Sequence, residues 1–326
     1  MKVNQSFLKE YKNLSNKLRQ LGKSDIHVSA VAMGCWPIAG MTSLNVIESE
    51  SIKTIEAAID SGVNFFDTAY CYGLDGLSER LVGQVLSERR SDFVIATKCG
   101  VNWDSNAKKI TDGSPQRLIK ECNESLQRLN SNYIDLMYLH EPDPTVPIEE
   151  SASAFLQMKQ SGKIRSVGLS NVTVQQMQAF HDVCPIVAVQ PPFNLLQQQI
   201  KEDIVPWCQQ HQVSIINYWP LMKGLLAGKI RRDHPFDPND KRLTYEIFQG
   251  ETFEFAQTVL DELDEIAAKT GLTVAQLVIA WTINQSYITA TLCGAKRDWQ
   301  IEETAAAMRA NLDERVFQRI SQLVLK

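Results

Sequence analysis

The sequence has no surplus of positive charge: 33 basic residues face 38 acidic ones, for a formal net charge of −5 over 326 residues. That balance removes the electrostatic basis for binding nucleic acid or an anionic lipid surface, so neither partner is expected. No apolar run approaches the roughly 20 residues that a membrane-crossing helix needs. The first residues, MKVNQSFLKEYKNLSNKL, lack the apolar segment of a secretory signal. Seven cysteines (Cys35, Cys71, Cys99, Cys122, Cys184, Cys208 and Cys293) are scattered, with no CxxC pair and no His/Cys cluster. A disulfide framework and a structural zinc site are therefore not expected, no metal is implied, and a reducing cytoplasm is the expected location. Linkers and low-complexity tracts are missing too, which points to one domain.

What is present is an alternation of short β-rich runs with amphipathic helical patterns. The expected strands are 31–34, 63–66, 93–96, 134–139, 164–169, 186–189, 213–216 and 288–292. Clear helical segments between them include 52–59, closed by Gly62; 78–86; 114–129, opened by Ser-Pro; and 148–160, closed by Gly162. Strands separated by helices must run parallel, because each crossover returns the chain to the same end. Eight such units in about 300 residues predict a single-domain α/β fold, a (β/α)8 TIM barrel, over 21–326. An open doubly wound sheet is the alternative, but no Gly-x-Gly-x-x-Gly follows the first strand. Phe7, Tyr11, Leu14 and Leu18 fall on one helical stripe, so 1–20 is expected to be an amphipathic helical extension. The one long irregular segment runs from 230 to 250, a length that in a compact domain is usually functional or disordered.

In such a barrel the active site lies at the C-terminal ends of the strands. Asp67 and Tyr72 follow the second strand, Lys98 ends the third and His140 the fourth. Ser170 and Asn171 end the fifth, Gln190 the sixth and Tyr218 the seventh, and Gly294, Ala295, Lys296 and Arg297 follow the eighth. Each alone can be read as a loop residue. Together, an acid, a phenol, an ammonium and an imidazole on one face make chemical sense for reducing a carbonyl, which needs a proton delivered to the developing alkoxide. A phenol is a poor acid at its ordinary pKa near 10. A neighbouring ammonium lowers that value, and a carboxylate keeps the ammonium charged and placed. A neutral imidazole can hydrogen-bond the carbonyl oxygen.

The ordered motifs Leu21-Gly-Lys-Ser, Phe66-Asp-Thr-Ala-Tyr-Cys-Tyr72-Gly, Ala96-Thr-Lys98, Tyr133-Ile-Asp-Leu-Met-Tyr-Leu-His140, Gly162-Lys-Ile-Arg-Ser-Val-Gly-Leu-Ser170-Asn171, Gln190, Gly224-Leu-Leu-Ala-Gly-Lys229 and Gly294-Ala-Lys-Arg297 resemble the aldo-keto reductase family from about residue 21 onward. The Gly-Leu-Leu-Ala-Gly-Lys loop is similar to that of the bacterial branch of inositol-operon reductases. The resemblance implies a catalytic tetrad of Asp67, Tyr72, Lys98 and His140, and NADP(H), preferred over NAD(H), lying across the barrel top. It implies Ser170, Asn171 and Gln190 on the nicotinamide carboxamide and Tyr218 stacked on its ring. Leu221, Gly224, Lys229 and Arg242 belong to a segment closing over the pyrophosphate, and Gly294, Ala295, Lys296, Arg297, Gln300, Glu303 and Thr304 serve the adenosine end. Lys296 and Arg297 are suited to the 2′-phosphate. Thr304 stands where an adenine-contacting Asn is common. The substrate pocket is expected to use Trp36, Trp103 and Trp219.

The implied activity is NADPH-dependent reduction of aldehydes, ketones or small sugars, with Tyr72 as proton donor. Oxidation of a sugar or secondary alcohol with NAD(P) is the reverse alternative. A nucleotide-binding regulatory subunit, like the potassium-channel β subunits, is the alternative from another class. The sequence sets neither the oligomeric state nor the substrate beyond a small carbonyl compound.

Overall fold

The computed structural model describes residues 18–41 and 43–324. It opens on an antiparallel hairpin, β1 (Arg19–Gln20) with β2 (His27–Val28). The expected helical extension thus gives way to strand by Arg19, while Phe7, Tyr11 and Leu14 lie outside the described residues. Arg19 donates to the carbonyls of Ile288 (3.1 Å) and Thr289 (3.3 Å), which fastens the hairpin to the last barrel strand.

Next come β3 (Val31–Gly34), helix α1 (Glu48–Asp60), β4 (Phe65–Asp67), α2 (Leu77–Leu86) and β5 (Val94–Cys99). A hairpin of β6 (Val101–Trp103) and β7 (Lys109–Thr111) then precedes α3 (Pro115–Arg128), β8 (Ile134–Leu139), α4 (Ile148–Gln160), β9 (Ile164–Ser170) and α5 (Val174–Val183). The chain closes with β10 (Ala188–Gln190), α6 (Ile204–His211), β11 (Ser214–Asn217), α7 (Gly250–Thr270), α8 (Val274–Ile283), β12 (Ile288–Gly294), α9 (Asp298–Ala305) and α10 (Glu314–Gln322). Strands β3, β4, β5, β8, β9, β10, β11 and β12 form a closed barrel of parallel neighbours, the eight strands expected. Observed ends shift by up to three residues: the second strand begins at Phe65 rather than residue 63, the third ends at Cys99 rather than 96, and the sixth begins at Ala188 rather than 186. Among the described residues no single helix is long and apolar enough to cross a membrane.

Local chemistry explains several boundaries. Helices α5 and α8 each open on a capping box, Thr173 with Gln176 and Thr273 with Gln276, in which side chain and backbone satisfy each other's free N–H groups. The β6–β7 hairpin was not anticipated, since its strands are only three residues long. Its turn is set by the Asp104 carboxylate, which accepts from the amides of Asn106 and Lys108 at 2.8 Å each.

Strand alternation divides the core in two. Leu21, Ile26 and Val28 from the hairpin join Ala32, Phe65, Val94, Ala96, Leu136, Tyr138, Ala188, Ile216 and Ala290 inside the barrel. Their sequence neighbours, such as Phe66, Ile95, Met137, Leu139, Val167 and Ile215, face the helices. Gly168 is required by this filling: a Cβ there would sit 2.4 Å from the Tyr138 ring. The same period of two carries inward to Asp67 beyond Phe65, to Lys98 beyond Ala96, and to Gln190 beyond Ala188. The polar groups therefore crown an apolar barrel interior.

Candidate active site

Asp67 and Lys98 end neighbouring strands and are both about 1% exposed. The Lys98 ammonium is ion-paired with Asp67 Oδ1, donates to the Thr68 carbonyl at 2.8 Å, and reaches the Tyr72 hydroxyl at 3.4 Å. Burial opposes charge on Lys98, but Asp67 and Tyr72 outweigh it and raise its pKa, so it stays an ammonium. Tyr72 sits in the loop after β4, where its amide donates to Ala69 O at 3.0 Å. Burial pushes the phenol up from its ordinary value, and the Lys98 charge pulls against that rise. His140 follows β8, held by its amide to Cys99 O at 2.9 Å. Its ring lies edge-on to Tyr72, with centroids 6.0 Å apart. Burial, then the charges of Lys98 and Lys109, hold the imidazole well below its usual range, so it is neutral at neutral pH.

The expected pocket tryptophans divide. Trp36 lies edge-on to Tyr72 at 4.8 Å between centroids. The Trp103 indole donates to Cys71 O at 2.6 Å and packs with Tyr72 around Ala69, Cys71 and Val101. Trp219 instead packs on Tyr218, at 5.2 Å between centroids, and carries the Lys223 ammonium over its face at 3.9 Å.

On the opposite strands, Asn171 takes a positive φ of 56° and donates from its amide to His140 O at 3.0 Å. Its carbonyl accepts from the Tyr218 hydroxyl at 3.0 Å. The Ser170 hydroxyl donates to Gln190 O at 2.9 Å. The Gln190 side-chain amide is buried and donates to Asp67 Oδ2 at 2.8 Å. The Asp67 carboxylate demands donors on both oxygens, and the inward register of β10 supplies one.

The residues expected at the far end of a cofactor form a second group. Leu221 enters a turn in which Gly224 has φ 93°, a conformation that favours glycine. A Cβ on Gly224 would lie 3.9 Å from the Arg242 guanidinium. Arg242 is bound to Asp240, Nε lying 3.0 Å from each carboxylate oxygen. Lys296 donates to Leu44 O at 2.8 Å and Arg297 to Asn45 O at 2.9 Å, clamping the loop after β3. The Gln300 carbonyl shapes their turn by accepting from the amides of Lys296 (2.9 Å) and Arg297 (3.2 Å). Gly294 is exposed and Ala295 buried beneath the turn. Lys229 is paired with Glu303 at 3.0 Å and lies over Trp299 at 4.2 Å. Thr304 is buried, with its hydroxyl on the carbonyls of Gln300 (3.1 Å) and Ile301 (3.3 Å) of its own helix.

The model of the Aldo/keto reductase family matches residues 30–325. The chain belongs to this family. Aldo-keto reductase YhdN of Bacillus subtilis is 34% identical over 285 residues, covering 86% of each chain. The structure of glycerol dehydrogenase AKR11B4 from Gluconobacter oxydans superposes with a TM-score of 0.87 at 34% identity, over 95% of each chain. The NADH-specific methylglyoxal reductase of Escherichia coli is 31% identical over 309 residues, 90% of this chain and 94% of that one. Like its family, this aldo/keto reductase is an oxidoreductase of the kind that acts on carbonyl compounds or sugars with a nicotinamide cofactor.

Several groups in this reductase escape sequence reading. Lys223 lies between Trp219 (3.9 Å) and Tyr245 (4.1 Å), and burial pulls its pKa down to about 8. Nothing local marks it, since Tyr245 is 22 residues further along the chain. The Leu44 and Asn45 carbonyls are likewise known only from the partners that fold onto them, 252 positions away in each case. Trp299, 47% exposed beside Lys296 and Arg297, carried one available signal: a large exposed aromatic in a charged turn.

Proposed function

We propose that this protein reduces a small aldehyde, ketone or sugar carbonyl with NADPH, with Tyr72 as proton donor. The observation that carries the reading is the buried Lys98 ammonium, bonded to Asp67 and in reach of the Tyr72 hydroxyl, beside a neutral His140. Tyr72 gives its proton to the carbonyl oxygen as negative charge grows there, and Lys98 stabilises the phenolate left behind. Asp67 keeps the ammonium charged and aimed. Neutral His140 offers a ring N–H to the same oxygen and orients it. Trp36 and Trp103 wall the space beside Tyr72 with apolar surface and exclude water. The nicotinamide cofactor, when bound, supplies the hydride.

The residues present fit such a cofactor. Asn171 and Ser170 offer polar atoms to a carboxamide, Tyr218 a ring face, and the half-buried turn at Gly224 a backbone with no side chain over it. Lys296 supports the preference for a 2′-phosphate: burial, then the nearby Arg297 and Arg242 charges, lower its pKa against the opposing pull of Asp240, so three cations gather around one carboxylate. Run in reverse, the same four residues take a proton from an alcohol, the direction that the name of the Gluconobacter glycerol dehydrogenase states for that protein.

The test is Tyr72→Phe. Turnover on a carbonyl panel is expected to fall by at least about 10²-fold, the usual worth of a positioned acid. NADPH affinity, read by fluorescence titration, is expected to stay within about twofold, since the phenol hydroxyl serves chemistry rather than binding. Retained turnover rejects Tyr72 as the donor.

A further inference from the structure

Tyr70, inside Asp67-Thr-Ala-Tyr-Cys-Tyr-Gly, reads in sequence as a packing residue. In the fold its hydroxyl donates to Glu124 Oε2 at 2.6 Å, and the Arg128 guanidinium lies over its ring at 4.2 Å. Arg128, at the end of α3, is a hub. One of its nitrogens donates to the Tyr70 carbonyl and to Glu79 Oε2, each at 3.2 Å. The guanidinium also presses on Gly76, where a Cβ would sit 2.6 Å from it. Glu79, on α2, is fully buried, and its other oxygen accepts from the Thr97 hydroxyl at 2.6 Å. Thr97 immediately precedes Lys98 on β5.

These contacts enclose the turn that carries Tyr72. As far as Tyr70 the loop is tied to β5 by its backbone, with the amides of Thr68 and Tyr70 on the carbonyls of Ala96 and Lys98 at 2.9 Å each. Beyond Tyr70 that ladder ends. Arg128 is bonded to one flank of the remaining turn at Tyr70 and packs against the other at Gly76, and Glu79 ties Arg128 to the residue next to Lys98. The Lys98–Tyr72 contact that depends on this turn is 3.4 Å, near the limit of a hydrogen bond, so a small shift of the turn breaks it. A buried carboxylate and its cation are weak evidence for stability, because well-packed apolar side chains serve as well or better. A guanidinium suits the post because one of its nitrogens serves the carbonyl and the carboxylate while its planar face lies over the Tyr70 ring at 4.2 Å, a stacking surface that an ammonium lacks.

We propose that Arg128 and Glu79 are positioning residues for proton transfer, fixing the distance between Lys98 and Tyr72 and thereby the acidity of the phenol. Neither touches substrate or cofactor. The inference rests on Tyr72 being the proton donor.

The experiment compares Arg128→Lys and Tyr70→Leu with the wild-type enzyme. Turnover is followed from neutral to alkaline pH, and NADPH binding by fluorescence titration. With the turn loosened, Tyr72 loses part of the Lys98 charge and its pKa rises. For Arg128→Lys the alkaline limb of kcat is expected to move up by about one pH unit. Its kcat is expected to fall about 10- to 100-fold, the scale for a displaced catalytic group. NADPH affinity is expected to stay within about twofold, because the turn lies apart from the cationic end of the cofactor site. Tyr70→Leu, which removes a half-buried side chain and leaves the ion pair intact, is expected to shift the limb the same way by less. It decides the matter by the same criteria where Arg128→Lys does not fold. A lower melting temperature with kcat and limb in place makes the pair merely structural and overturns the proposal. So does a reduced kcat with an unmoved limb. Retained turnover in Tyr72→Phe overturns the donor assignment instead; full loss there beside an unmoved limb in Arg128→Lys overturns the positioning role alone.

Discussion

Replacing Lys98 by Met probes the ion pair at the centre of the site. Asp67 is about 1% exposed, and its two oxygens are served by Lys98 and Gln190. Lys98→Met leaves a buried carboxylate with one amide donor, and removing one partner of a buried pair costs about 3–5 kcal/mol. The double variant Asp67→Asn/Lys98→Met leaves a neutral amide that still accepts from Gln190, and neutral replacement of both partners is commonly close to isoenergetic. The coupling from the double-mutant cycle is therefore expected at about 2–4 kcal/mol. It is measured by urea unfolding, taking midpoint and slope for each variant. The pH dependence has a definite sign. Burial already pushes the Asp67 carboxyl up from its ordinary value, and removing Lys98 pushes it further. In the Lys98→Met protein the folded-state pKa thus lies above the unfolded one. The penalty is complete above the folded pKa and relieved as pH falls through it, when the folded state takes up a proton. A double variant as unstable as the sum of the singles, or a Lys98→Met penalty that does not change with pH, refutes the reasoning.

Gly168→Ala forces a methyl to within 2.4 Å of the Tyr138 ring and is expected to cost about 1–3 kcal/mol or more in urea unfolding, recovered in part by Tyr138→Leu. Lys296→Ala and Arg297→Ala are each expected to weaken NADPH binding by about tenfold or more and NADH binding much less, the loss of about 1.4 kcal/mol or more of phosphate contact; equal losses for both cofactors reject a 2′-phosphate role. His140 has its pKa depressed by burial, so its contribution to stability is present above the ordinary histidine value of about 6.5 and is lost as pH falls below it. Within that window, His140→Asn is expected to flatten the fall in unfolding free energy by up to about 1.4 kcal/mol per pH unit, one proton's worth.

The barrel was legible because each strand writes its own signal. Ile134-Asp-Leu-Met-Tyr-Leu139 is apolar on both faces and short, and the helical pattern at 148–160 begins and ends within its own residues. Strand order alone places Asp67 and Lys98 at adjacent strand ends, while their inward register is read from the packed barrel. Two short hairpins were not legible. Arg19–Gln20 and His27–Val28 are too brief to show alternation, and their strand character comes from plugging the barrel with Leu21, Ile26 and Val28.

At the site, the residue types and their spacing along the chain announced an acid, an ammonium, a phenol and an imidazole on one face. Their number and order are local facts, carried by motifs a few residues long. Which side chains serve them is not a local fact. Gln190 turns to Asp67 across 123 positions of sequence, Arg128 reaches Tyr70 across 58, and Lys296 reaches Leu44 across 252. The sequence by itself determined the (β/α)8 order and the types of group that meet at the barrel's C-terminal face, because periodicity and side-chain chemistry belong to the residues. Only the tertiary structure decided how those groups are tuned and held. Burial, charge and hydrogen-bond partnership are properties of the space between elements, and that space exists only once the barrel has closed.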